Sequence, residues 1–281
     1  MKKFFVVEVG STHTKCFLYD NGRIDALPHR SSSELYSIVR DLKKQSPNIF
    51  VYGTSRYRKM SDKEQKDFKH DFKAQTGIDF NIVTAEQEAE YTAMGVTLGN
   101  DFKGRLCIMI GGGGSTEVVI IENKQIIERH FNDVGTNSIN QKFPQLNDFK
   151  PRLTLNQLDD FTFSKIQDIQ KKADILVVAG GDTIYGYQSF AKEFLKPNQF
   201  YNDETQPVYI TTSNAIQAET NFTFERDLVE HQKLYSEYSY NWWTGARAWH
   251  SCIRAIAKKS NAEYIIPTKI NMCLGIIKGL V

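Results

Sequence analysis

Four consecutive glycines, Gly111 to Gly114, run into Ser115, Thr116 and Glu117. Glycine allows positive φ and lets a ligand come close to the main chain. Successive N–H groups exposed in such a turn make a concave anion site of the kind that cradles phosphate. The hydroxyls and the carboxylate that follow could donate to a bound anion or act on it. Three other clusters have this character. Gly10-Ser11-Thr12 pairs a glycine with free hydroxyls. Gly53-Thr54-Ser55 precedes Arg56 and Arg58, and hydroxyls followed by cations suit an oxyanion. Gly180-Gly181-Asp182-Thr183 links a strand to a helix, a second phosphate-friendly turn. Glu86, Gln87 and Glu88 open a helical stretch, where a carboxylate could serve as general base. Each cluster alone also has a plain reading, as a hairpin turn, a solvated loop or acids complementing a helix dipole.

The elements that must position these residues follow from periodicity. Phe4 to Val9 and Cys16 to Tyr19 read as strands around the first glycine turn, and Asn21-Gly22 as a hairpin turn. Ser31-x-x-Glu34 is a capping box before a helix with Leu35, Ile38, Val39 and Leu42 on one face, stopped by Pro47. Ile49 to Tyr52 is a strand, with residues 53–59 a loop leaving its end. Ser61-x-x-Glu64 caps a second helix, carrying Phe68 and Phe72 and ending at Gly77. Ile78 to Val83 is a strand and Ala85 to Met94 a helix. Leu106 to Ile110 and Val118 to Ile121 flank the four glycines as a hairpin, and Gln125 to Phe131 adds a third strand. Residues 154–172 read as a helix, Asp174 to Ala179 as a buried strand, and Val208 to Thr211 as a short strand. The chain from there to Lys259 reads as helical. Trp242, Ala246, Trp249, Ile253 and Ile256 form a core-facing stripe on it. Tyr264 to Pro267 is extended. Ile270, Cys273, Leu274 and Ile277 mark a last helix.

The chain has 281 residues, 41% hydrophobic and 24% charged, an ordinary globular composition for one large or two smaller domains. A net charge of +2 provides no polycation field, so DNA and RNA are not expected partners. The scattered Cys16, Cys107, Cys252 and Cys273 form no CxxC pair and read as buried thiols. No apolar run is long enough to span a membrane or make a signal peptide, and a soluble cytoplasmic protein is expected. Strand and glycine turn recur near residues 10 and 112. The recurrence suggests two similar lobes facing a shared cleft, an actin-like α/β architecture.

Set side by side, these pieces resemble the exopolyphosphatase and guanosine pentaphosphate phosphatase family. VVEVGSTHTK (6–15), GTSRYR (53–58), VTAEQEAEYTAMGV (83–96), IGGGGSTEVVI (110–120), VGTNSI (134–139), VVAGGDTI (177–184) and NAEYIIP (261–267) run in family order. GGGSTE with E-x-E-A-x-x-x-x-M-G-V is the specific part. The resemblance implies an actin-like (ribonuclease H-like) two-lobe α/β fold with a mixed sheet in each lobe, residues 1–122 and 123–281. The last helix is free to pack back on the first lobe. It implies hydrolysis of a terminal phosphoanhydride in polyphosphate or a phosphorylated nucleotide, with Mg²⁺ or another divalent cation, and a homodimer as one possible assembly. Glu88 matches the catalytic glutamate and Glu117 the second acid. Gly10, Ser11, Thr12, Arg58, Gly113, Gly114, Ser115, Gly180 and Gly181 match phosphate-binding positions, and Glu8 a metal ligand.

This sequence departs from the family pattern at several of these positions. Ile110 stands where the family has its metal-site aspartate, Glu8 replaces aspartate at the opening turn, Thr12 replaces asparagine, and Ser138 stands where an arginine is usual. An isoleucine ligates nothing, so the general base is kept while the metal and anion grip is thinned. Longer relatives append a helical region that extends a polymer channel, so a short polyphosphate or a pentaphosphate-like nucleotide is the expected substrate. The alternative from the same residues is a catalytically weakened regulatory protein that binds a nucleotide or alarmone. An actin-like small-molecule kinase is a third reading, for which the second lobe offers no convincing catalytic aspartate.

Overall fold

The computed structural model describes residues 3–11, 13–97, 104–148, 150–180, 196–197, 208–212, 224, 226–234 and 240–281. The chain divides into two units: Met1–Leu98 with Asn271–Val281, and Gly99–Ile270. The expected boundary near residue 122 falls inside the second unit's sheet. The reason is hydrogen bonding: the strand from Arg105 pairs with later strands and with none of the first sheet.

The first sheet holds β1 (Lys3–Val9), β2 (His13–Asp20), β3 (Arg23–Ala26), β4 (Arg30–Ser31), β5 (Ile49–Gly53) and β6 (Phe80–Ile82). Its order is β3-β2-β1-β5-β6, with β4 beside β2. β1, β2 and β3 form an antiparallel meander, and β5 and β6 continue parallel to β1. Asn21 (φ 49°) and Gly22 (φ 98°) make the expected hairpin turn. One face of β1, with Phe5, Val7 and Val9, packs in a core with α1 (Leu35–Lys43) and Phe72 of α3 (Asp62–Thr76). Leu35, Ile38, Val39 and Leu42 are all buried, as their spacing predicts. The Ser61–Glu64 capping box is present, and Gly77 ends α3 at φ 72°. The Ser31–Glu34 box is not formed. Residues Ser32–Glu34 make a 3-10 turn, Ser31 accepts from the Ser33 N–H, and Glu34 is drawn to Arg30 at 2.7 Å. On the other face lie α4 (Ala85–Thr97) and the chain's last helix. Gly275 of that helix has no room for a Cβ against the Tyr91 carbonyl of α4, so the two backbones touch.

The second sheet repeats this plan. β7 (Arg105–Gly111), β8 (Thr116–Glu122) and β9 (Gln125–Asn132) form an antiparallel meander. β10 (Ile175–Val178) then pairs parallel to β7, and β13 (Tyr264–Pro267) parallel to β10. β12 (Val208–Thr211) and β11 (Lys196–Pro197) close the edge. The glycine turns thus occupy the same place in each sheet, between the first two strands of the meander. Helices α5 (Thr136–Lys142), α6 (Leu155–Lys165), α7 (Leu228–Leu234) and α8 (Tyr240–Ser260) belong to this unit, and α9 (Met272–Leu280) to the first. On the α8 stripe Ala246, Ile253 and Ile256 are buried and Trp249 partly so; the side chain of Trp242 lies outside the described residues.

The helix expected over residues 154–172 stops at Lys165. Side chains from β9 capture the backbone beyond it. Asn132 takes the Gln167 N–H at 2.8 Å, and Glu128 takes the N–H groups of Gln170 and Lys171, each at 2.7 Å. Those bonds hold Glu128 below the usual carboxylate range, against the upward push of its partial burial. Among the described residues no helix is long and apolar enough to cross a membrane. All four cysteines are buried and free.

Candidate active site

In the first unit the parallel strands β1, β5 and β6 end along one edge, and the candidate residues follow each end. This carboxyl edge is where open α/β sheets receive ligands. The edge is sewn together by the Thr54 N–H to the Val9 carbonyl and the Val83 N–H to the Gly53 carbonyl, both at 3.1 Å. Residues 55–58, read from sequence as loop, form the short helix α2 (Ser55–Arg58). Tyr57 is buried and its ring packs 4.7 Å from that of Phe80. A Cβ on Gly53 would lie 2.5 Å from Phe80, so only glycine lets these rings close over the strand end. Tyr57 pinned in this way, its neighbour Arg58 projects to Glu88.

Arg58 Nη1 donates to Glu88 Oε2 at 2.6 Å, and both side chains are mostly buried. The same nitrogen reaches the Val83 carbonyl at 3.4 Å. Glu88 does not cap its helix. That role falls to Thr84 and Gln87, which bond each other's backbone N–H reciprocally at 3.0 and 3.1 Å. The Glu88 carboxylate is therefore placed by Arg58, which the bare helix-dipole reading does not explain.

The first glycine turn is narrower in function than its residue types suggest. The Gly10 N–H closes the turn on the His13 carbonyl at 3.0 Å, and the Gly10 carbonyl accepts from Ser32 at 3.0 Å. Gly10 shapes the turn, and Ser11 is exposed. Thr12 lies outside the described residues. Glu8, one pair back from the turn, faces Lys15 across β1 and β2, with Oε1 3.2 Å from Nζ.

In the second unit the glycine turn docks on the start of α5. The Thr136 N–H donates to the Gly112 carbonyl at 3.1 Å and the Asn137 N–H to the Gly113 carbonyl at 2.8 Å. In a trans peptide the carbonyl and the following N–H point opposite ways. With both carbonyls turned to α5, the N–H groups of Gly113 and Gly114 turn together to the other side. A Cβ on Gly135 would sit 2.5 Å from the Gly112 carbonyl oxygen, and one on Gly111 2.6 Å from the Trp249 ring. Gly135, Thr136, Asn137 and Trp249 thus set the turn, and the sequence reading gave none of them this role. Only the loosely matching VGTNSI block pointed near them.

Ser115 donates to Glu117 Oε1 at 2.8 Å, and Glu117 is buried on β8. Ser138 caps α5, accepting from the Gly135 N–H at 2.9 Å. The Gly180 N–H is engaged by the Ile270 carbonyl at 2.9 Å at φ 115°, so Gly180 forms the turn without donating outward. Gly181 lies outside the described residues.

The residues that the resemblance offers for a divalent cation do not fit one. Glu8 is neutralised by Lys15, and Ile110 supplies no donor opposite Glu117. Among the described residues no three His, Cys, Asp or Glu side chains come together as a metal site.

The Ppx/GppA phosphatase family matches residues 33–238, which span Arg58, Glu88, the glycine turn and Glu117. The chain belongs to this family. Among solved structures, the Ppx/GppA family member of Aquifex aeolicus superposes with a TM-score of 0.76 at 17% identity, covering 99% of this chain and 97% of that one. A type II variant of the Aquifex aeolicus phosphatase gives 0.75 at 16%, covering 99% of both chains. An exopolyphosphatase from Cytophaga hutchinsonii gives 0.76 at 12%, covering 99% and 97%. At these identities the likeness establishes the fold: the actin-like α/β fold of Ppx/GppA proteins, with a mixed sheet in each unit. No curated protein matches the sequence. As a Ppx/GppA chain, the molecule is of the phosphatase type.

Proposed function

We propose that this Ppx/GppA chain hydrolyses a terminal phosphoanhydride, in short polyphosphate or a guanosine pentaphosphate-like nucleotide, by attack of a water that Glu88 activates. The observation that carries this reading is the Arg58–Glu88 pair at the carboxyl edge of the first sheet. A bound phosphoryl group competes for the Arg58 guanidinium, which frees the Glu88 carboxylate to accept a proton from water. The water oxygen bonds to phosphorus, the bridging P–O bond breaks, and the shortened phosphate leaves with its electron pair. Arg58 and the Ser11 hydroxyl hold phosphoryl oxygens, and the Gly113 and Gly114 amides are a second anion cradle. Such phosphoryl transfer depends mainly on positioning and charge stabilisation, which these groups supply.

The test is a phosphate-release screen of the purified chain over tripolyphosphate, long-chain polyphosphate, guanosine pentaphosphate, ATP and pyrophosphate. Glu88→Gln is expected to remain folded and to lose roughly 10²–10⁴ in rate, the usual contribution of a general base. Equal release by both proteins ends the assignment. Ile110 opposite Glu117 favours the second reading, a nucleotide-binding regulator with weakened catalysis. It is distinguished by a ligand-induced melting shift without turnover.

A further inference from the structure

The pairing of Glu8 carries an inference that deepens, and rests on, the phosphohydrolase reading. Glu8 and Lys15 are directly opposed on β1 and β2, one pair below Val9 and Thr14, the last rung before the glycine turn. The two side chains are 12% and 23% exposed, so their pairing is little screened by water. The other Glu8 oxygen faces Cys273 of α9, Sγ to Oε2 4.0 Å. Tyr52 is the neighbour of Glu8 on β5. Lys15 and Cys273 thus engage the two Glu8 oxygens, and among the described residues no three His, Cys, Asp or Glu side chains gather there to hold a divalent ion.

We propose that Lys15 is the resident cation of the first glycine turn: its ammonium, anchored by Glu8, takes a phosphoryl oxygen of the bound substrate, and phosphate binding needs no divalent ion. An ammonium carries three donors, which lets one group bridge a carboxylate and a phosphoryl oxygen. Four methylenes give it roughly 6 Å of reach toward the turn.

The test is calorimetric titration of inorganic tripolyphosphate into the full chain, in EDTA and again in Mg²⁺. Wild-type affinity is expected to agree within about threefold between the two buffers. The Lys15→Met, Glu8→Gln double variant removes the ammonium without stranding a buried carboxylate. It is expected to bind at least about tenfold more weakly in both buffers. Lys15→Arg, which keeps the charge, is expected to retain most of the affinity. Mn²⁺ titrated alone and followed by electron paramagnetic resonance is expected to reveal no stoichiometric site. Binding that disappears in EDTA and returns with Mg²⁺ overturns the proposal while leaving the phosphohydrolase reading in place. So does wild-type affinity in the double variant. Absence of tripolyphosphate binding to the wild type in both buffers overturns the phosphate-site reading itself, and this proposal with it.

Discussion

Ile110 lies directly across the β7–β8 ladder from Glu117, a buried isoleucine facing a buried carboxylate. Directly opposed residues have Cβ atoms roughly 5 Å apart, so the identity of residue 110 decides what Glu117 experiences. As built, Glu117 shares its charge with the Ser115 hydroxyl.

Ile110→Asp would put two carboxylates at that spacing. Without a cation the variant is expected to lose about 1–3 kcal/mol of stability, from like charge and lost apolar burial. Mn²⁺ or Mg²⁺ should restore part of this in the variant and change the wild type little. Melting curves of both proteins in EDTA and in each metal make the comparison. An equal metal response would remove the significance attached to Ile110.

Removing the partner of Glu88 tests positioning separately from charge. Arg58→Ala is expected to cost roughly 1–3 kcal/mol, because it strands a largely buried carboxylate. Arg58→Lys keeps a cation but loses the planar fork, and should recover stability better than turnover. Chemical denaturation alongside phosphate-release kinetics would show the split. Identical behaviour of the two variants in both measurements contradicts it.

The glycine turn can be probed at positions that differ only in what a methyl group would meet. A Cβ at Gly112 meets nothing within 4 Å, while one at Gly135 meets the Gly112 oxygen at 2.5 Å and Gly113 backbone at 2.9 Å. Gly112→Ala should be close to neutral in stability. Gly135→Ala should cost about 1–3 kcal/mol, because backbone has to move, and should weaken phosphate binding. Paired denaturation curves, with tripolyphosphate titrations, distinguish a site-setting clash from a general glycine effect.

His250 gives the second unit a pH dependence of defined sign. Burial pushes its imidazole down to about 4, while Nδ1 donates to the Ala246 carbonyl one turn back in α8. The unfolded chain therefore binds a proton that the folded chain excludes, and stability falls as pH drops through the unfolded pKa of about 6.5 toward 4. Between pH 7 and pH 5 this single group is expected to account for roughly 2 kcal/mol. Urea denaturation at the two pH values should show a smaller pH effect in His250→Gln than in the wild type. Equal effects would mean that His250 stays neutral in both states or charges in both.

Local chemistry was enough to read most of the elements from the sequence. The Asn21-Gly22 turn, the Ser61 capping box, the Gly77 stop and the buried faces of α1 and α8 depend on residues a few positions apart. Glycines beside hydroxyls likewise marked both turns. Long-range competition decided what local signals could not. Ser31 and Glu34 lost their box to Arg30, and Glu128 and Asn132 ended a helix that periodicity alone would have continued. At the candidate site, residue types pointed to Glu88, Arg58 and the glycine turns. Tertiary structure decided which of these groups are bonded to one another. Arg58 and Glu88 are 30 residues apart and meet only because β5 and β6 run parallel. The Gly113 and Gly114 amides face outward only because α5 takes the Gly112 and Gly113 carbonyls. A sequence states which donors and charges a chain owns; packing decides which of them are already bonded to each other.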